Sequence, residues 1–184
     1  MSRYLVAPLS STRSLLSLHG ADAAKFLQGL VSNNVGSSNA ASIHDRAVYA
    51  GVFSAQGRLL HDTFILRDPT IAGSDGNGFI VDYPAKVTQP PLLPHLKRFI
   101  LRSKVKARHI NPDWRLWAVF QDPLDRSQPK TTIEEEVQHI AGTNKGRWWR
   151  DCRNTRMGYR LLLPPSASSA IECEATLGKM IGNV

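Results

Sequence analysis

The residues best placed to do chemistry are Gln56, Gly57 and Arg58, followed at once by His61 and Asp62. Glycine lets a turn bring its backbone close to a ligand, arginine offers a planar fork of donors for a carboxylate or phosphate, and Asp62 adds an acceptor on the strand just beyond. The same segment also reads as a polar hairpin in which Asp62 only satisfies backbone donors. A second group is cationic: Lys97, Arg98, Arg102, Lys104, Lys106 and Arg108 follow one another with no acid among them. Side chains alternate along a strand, so Lys104, Lys106 and Arg108 share a face and concentrate positive charge there. Plain solvation of that face is the competing account. In a third group Lys145, Arg147, Arg150, Arg153, Arg156 and Arg160 are interleaved with Trp148, Trp149 and Tyr159. Cations beside aromatics can stack flat rings, although the tryptophans read first as core. Cys152 stands between Asp151 and Arg153: exposed beside arginines it would be a reactive thiol, and buried it would be a small filler. Neither the six histidines nor Cys152 and Cys173 have metal-ligand spacing, so no bound metal is expected.

A formal net charge of +8 favours anionic partners such as phosphates, polyglutamates, nucleic acid or an acidic protein surface. No nucleic-acid-binding element is recognisable, which removes nucleic acid as an expected partner. No apolar run approaches the roughly 20 residues that span a bilayer, and two cysteines make no disulfide framework, so a soluble intracellular chain is expected. The chain of 184 residues, 42% hydrophobic, has room for one ordinary domain or two small ones. Its first 21 residues hold Arg3 and Arg13, many serines and no acid, the composition of a transit peptide. Because Arg13 to His19 also reads as a first strand, the expectation is either a cleavable part that ends by about Ser11 or a further piece upstream of this sequence.

These residues need positioning elements. Alternation predicts a strand over 14–18, and Asp22 is the expected N-cap of a helix over 23–31 that buries Phe26, Leu27 and Leu30. Strands are expected over 47–53 and 59–67, joined through Ser54 to Arg58 as a hairpin, and over 79–83 after a glycine-rich turn at 73–78. A helix is expected within 84–101 with Leu92, Leu93, Leu96, Phe99 and Ile100 on its buried face; Pro90, Pro91 and Pro94 forbid a regular helix through its first half, and since proline fits a first turn its start is expected near Pro94. Strands over 103–110, 114–120, 147–150 and 158–163 follow. Thr132 and Glu135 have capping-box spacing ahead of a short helix carrying Ile133, Val137 and Ile140, and a tail helix is expected over 167–180.

Three short segments stand in a characteristic order and spacing: Phe26-Leu27-Gln28-Gly29, Gln56-Gly57-Arg58-Leu59-Leu60-His61-Asp62 and Leu101-Arg102-Ser103-Lys104-Val105. Together they resemble the YgfZ/GcvT-like folate-binding family, in particular its Caf-type mitochondrial iron–sulfur cluster assembly factors. Arg147 to Arg150 with Gly158-Tyr159-Arg160 is similar to a further family segment, so the likeness runs from about Arg13 to Leu163. The family's Lys-Gly-Cys-Tyr-x-Gly-Gln-Glu stretch is absent.

The resemblance implies an α+β protein of largely antiparallel sheets with the GcvT-like aminomethyltransferase folate-binding fold, truncated so that it lacks the C-terminal barrel. It implies a discontinuous first domain over 12–46 and 111–184, with a ferredoxin-like insert over 47–110. Tetrahydrofolate is the implied cofactor, with Gln56, Gly57, Arg58, Asp62, Arg102 and Lys104 as its binding residues and no catalytic or metal residue. The implied function is maturation of four-iron (4Fe-4S) proteins in the mitochondrial matrix, alongside other iron–sulfur assembly proteins and without membrane attachment. A folate-dependent one-carbon (aminomethyl) transferase is the alternative; it calls for two acids at positions 61 and 62, where this chain has His61 and Asp62.

Overall fold

Apolar-rich runs bounded by turns become strands here, several of them buried at successive positions, and short helices pack on one face of each sheet. The structure, a computed structural model, describes residues 4–35, 47–68, 70, 77–86, 91–122 and 132–167. In chain order the elements are β1 (Tyr4–Pro8), β2 (Arg13–His19), α1 (Ala23–Gln28), β3 (Ala47–Phe53), β4 (Leu59–Arg67), β5 (Gly78–Pro84), α2 (Leu92–Ile100), β6 (Lys106–His109), β7 (Arg115–Gln121), α3 (Ile133–Thr143), β8 (Arg147–Arg150) and β9 (Tyr159–Leu163), with a 3-10 turn at Thr155–Met157. The chain divides into two compact units, residues 11–111 and residues 1–10 with 112–184.

Residues 11–111 form a five-stranded antiparallel sheet in the order β3-β4-β5-β2-β6. On one face Leu16, Leu18, Val52, Ile65, Phe79 and Val81 pack against Leu27 of α1 and Leu92 and Leu96 of α2. The outer edge strand β6 carries exposed Lys106 and Arg108, charges that discourage a foreign strand from adding to it. The expected split, 12–46 with 111–184 and 47–110 as an insert, differs from this unit: β2 is paired between β5 and β6, so Arg13–His19 lies in one sheet with 47–110.

Two helices depart from expectation. α1 stops at Gln28, and Val31 instead bridges Val52 of β3, so sheet pairing takes over where the helix was expected to continue. Asp22 makes no side-chain cap bond; its Oδ2 accepts from the Lys104 amide at 2.7 Å. α2 begins at Leu92, two residues before Pro94, because a proline in the first turn lacks only an N–H that would have no helical partner. Its buried side chains are Leu92, His95 and Leu96, whereas Phe99, expected inside, is 36% exposed.

The other unit is a four-stranded antiparallel sheet in the order β1-β7-β9-β8. Thr132 and Glu135 close the expected capping box at the start of α3, whose Val137 and Ala141 pack with Trp117, Val119, Trp148, Tyr159, Leu161 and Leu163. Tyr4–Pro8, read from sequence as leader-like in composition, pairs with β7 from Tyr4↔Gln121 to Pro8↔Trp117. At Gly158 the backbone has φ +65°, and a Cβ there would strike the Val119 carbonyl, so only glycine lets the chain enter β9 this close to β7. The expected tail helix beyond Ala167 and most of the 73–78 turn lie outside the described residues.

Candidate functional site

Strand alternation separates the two residues singled out on β4. His61 faces the helix-covered core, 2% exposed, with its ring edge-on to Tyr83 at 5.8 Å between centroids. Asp62 points to the opposite face with its side chain 33% exposed. There it meets Arg13, the first residue of β2. The Arg13 guanidinium donates from Nη1 to Asp62 Oδ2 at 3.2 Å, from Nε to Asp82 Oδ1 at 2.7 Å and from Nη2 to the Asp82 carbonyl at 3.1 Å. Asp82 lies within β5, its side chain 1% exposed, where an ionised carboxylate is tolerable only with a cation and hydrogen bonds. One arginine therefore neutralises a buried acid and steadies a solvent-facing one. Next to Asp82, burial pushes the Tyr83 hydroxyl up from its ordinary value, and its hydrogen bond with Ser14 partly opposes that.

The turn joining β3 to β4 is built by Ser54. Its Oγ accepts from the amides of Gln56 and Arg58, each at 3.2 Å, while its own amide donates to the Arg58 carbonyl at 2.9 Å. Gly57 takes φ +77°, a left-handed conformation that suits glycine, and Gln56, Gly57 and Arg58 are all exposed. Across β3, Gly51 stands in register with Asp62, and the space a side chain would need there is filled by Leu59 and Phe53.

Arg102 and Lys104 sit elsewhere. They belong to the connection from α2 to β6, and β6 starts opposite His19, the last residue of β2, while the Asp62 cluster gathers around the first residue of that strand. The structure thus brings Gln56, Gly57, Arg58 and Asp62 to one end of the sheet and leaves Arg102 and Lys104 at the other. The second end has its own cleft of about 970 Å³, lined by Asp22, Lys25, Phe26, Phe99, Leu101 and Arg102 among others.

In the other unit the aromatic side chains of the arginine- and tryptophan-rich stretch are internal, while Lys145, Arg150, Arg153 and Arg156 are exposed. Trp148 and Trp149 are 5% and 0% exposed, so their rings belong to the core and offer no stacking platform. Asp151, 3% exposed, accepts from Arg153 Nε and Nη2 at 2.9 and 2.7 Å and from Arg160 Nε at 3.3 Å. Burial alone would raise its carboxyl; the hydrogen bonds from Arg153 and the charges of Arg160 and Arg153 outweigh that and hold it below the ordinary value. Cys152 is exposed, with the Arg153 guanidinium turned to Asp151. Among the described residues no group of three His, Cys, Asp or Glu side chains is placed to hold a metal ion.

Sequence reasoning missed Arg13, Asp82 and Asp151 as partners. A usable signal was present: Asp82 is a lone acid inside the apolar run Phe79 to Tyr83, and such an acid requires a cation.

No protein-family model matches the chain. It is 38% identical over 158 residues to the "Iron-sulfur cluster assembly factor IBA57 homolog, mitochondrial" of Coccidioides immitis, an alignment covering 82% of this chain and 35% of that protein. A protein of the same name from Pyricularia oryzae is 33% identical over 154 residues, covering 83% of this chain and 34% of its own length. Among solved structures, the glycine cleavage system aminomethyltransferase T from Bartonella henselae superposes with a TM-score of 0.66 at 15% identity, over 95% of this chain and 45% of that one. The fold is thus α+β with antiparallel sheets, of the aminomethyltransferase type, and the chain spans about a third of the length of these curated relatives.

Proposed function

We propose that the chain belongs to the YgfZ/GcvT-like folate-binding family and serves the maturation of four-iron proteins in the mitochondrial matrix. The observation that carries this is the 38% identity across most of the chain to a protein named a mitochondrial iron–sulfur cluster assembly factor. Fold likeness at 15% identity supports the scaffold and leaves the chemistry to the site. An assembly role, exercised with other iron–sulfur assembly proteins, fits better than one-carbon transfer, because His61 stands where a second acid is called for and faces the core on the other side of β4 from Asp62. Loss of the gene is expected to lower the activity of mitochondrial four-iron enzymes while two-iron proteins keep theirs; unchanged four-iron activities would overturn the reading.

Folate is the ligand proposed for the Asp62 end. A pterin presents N–H donors, and Asp62 presents a carboxylate with one oxygen held by Arg13 and a third of the side chain open to solvent. Arg58, exposed on the turn, supplies a cation for the anionic glutamyl tail. Tetrahydrofolate would supply one-carbon chemistry when bound; these side chains would hold and orient it. Calorimetric titration with polyglutamylated tetrahydrofolate at low salt is expected to show binding that Arg58→Ala with Asp62→Asn abolishes and Arg102→Ala leaves intact. Equal heats for the native chain and the double variant would remove these residues from the site.

A further inference from the structure

The cleft at the other end of the sheet is unlike an ordinary solvated surface. Leu101 ends α2 with φ +37° and ψ −104°, a backbone conformation that a branched side chain strongly disfavours, and its side chain is 86% exposed. Strain of this kind persists only where the surroundings over-determine it. Here they do: the Ser103 amide donates to the Ile100 carbonyl at 2.6 Å, the Lys104 amide donates to Asp22 Oδ2 at 2.7 Å, and the Lys104 carbonyl packs so closely on Gly20 that no Cβ fits between them. The chain is thus held so as to push leucine into water, beside Phe99 at 36% exposure and half-buried Phe26.

Around this apolar group stand Lys25 and Arg102 in the cleft, Lys97 and Arg98 on the last turn of α2, and Lys104 beyond. Among the described residues none of these five side chains makes an ion pair. The one acid in the lining, Asp22, already spends an oxygen on the Lys104 amide. A small anion would leave Leu101 and Phe99 in water, whereas a purely apolar surface would leave the cations without partners.

We infer that the cleft between the start of α1 and the end of α2 docks an acidic segment of a partner protein, which lays an apolar side chain against Phe26, Phe99 and Leu101 while its carboxylates meet Lys25 and Arg102. Exposed aromatic and arginine side chains at one spot are what protein interfaces use as anchors, and the surrounding charge steers encounter and selects against basic partners. The surface is independent of the folate reading, since Asp62 lies at the far end of the sheet.

The test is fluorescence anisotropy of the whole chain with three labelled synthetic peptides. One combines Glu and Asp with Phe and Leu, one keeps the acids but has Ser for the apolar residues, and one keeps the apolar residues but has Lys for the acids. The first is expected to bind at least about tenfold tighter than the other two. Lys25→Glu with Arg102→Glu, and separately Leu101→Ser with Phe99→Ser, are each expected to lose about tenfold, while Arg156→Glu in the other unit changes little. Amide chemical shifts of the native chain, read during the first titration, are expected to move at Lys25, Phe26, Arg102 and Ser103, which keeps the test valid if a variant fails to fold. Equal binding of the acidic peptide without apolar residues, no binding of any peptide, or shifts elsewhere than this cleft would overturn the proposal.

Discussion

Arg13 joins two carboxylates whose environments differ, and that difference sets what its removal costs. Arg13→Met leaves Asp82 charged, buried and without its main cation, so a loss of about 3–5 kcal/mol is expected in chemical denaturation. Asp62→Asn breaks the half-exposed arm of the same cluster and is expected to cost less than about 1 kcal/mol. Comparable losses for the two would mean that Arg13 does not discriminate between its partners. Asp151 gives a dependence on pH. Its folded-state pKa is depressed, so its stabilising contribution is complete above the ordinary carboxylate value of 3.8 and is lost as pH falls below that through the folded value. Urea midpoints of the native chain and Asp151→Asn are expected to differ near neutrality and to converge in acid below that value; a gap that stays constant with pH would locate the stabilisation somewhere other than the carboxylate charge.

At the scale of elements, connections carry information that strands and helices do not. Gly20 has φ +129° and lies against the Lys104 carbonyl, so Gly20→Ala must displace the connection between α2 and β6 and is expected to destabilise by more than about 1 kcal/mol. Thr132→Ala, which opens the capping box of α3, is expected to cost about 1 kcal/mol in thermal or chemical unfolding. The limits of β3 and β4 are readable to the residue, because both runs are rich in apolar, β-branched and aromatic residues and meet at a polar turn whose glycine has a clear purpose. α1 was overestimated because an apolar face at helical spacing does not reveal that Val31 will pair with Val52. Periodicity predicts Phe99 on the buried side and it is 36% exposed, since periodicity reports which side of a helix is apolar and not how far the covered surface reaches. Of the candidate site, the turn at Gln56 to Arg58 and the acid at Asp62 could be found locally. Arg13 could not, because it meets Asp82 across 69 positions of sequence and no local pattern encodes that pairing.

The molecule as a whole carries a net charge of +8, and its ionic groups are used in two ways. Arg13, Arg153 and Arg160 are committed to buried or half-buried carboxylates, while Lys25, Arg58, Arg102 and Lys104 face solvent. Binding that depends on the second set is expected to weaken steeply as salt rises from about 50 to 300 mM, whereas stability that depends on the first set should change little. A folding midpoint as salt-sensitive as anion binding would contradict that division.

All four tryptophans, at 114, 117, 148 and 149, lie in the unit formed by residues 1–10 and 112–184, and the unit containing Asp62 and the Leu101 cleft has none. Intrinsic emission is therefore an optical reporter for one half of the chain only. A single tryptophan introduced at Phe26 or Phe99 would give the unit without an indole a voice of its own, and its emission read against that of the native chain would isolate events at the Leu101 cleft.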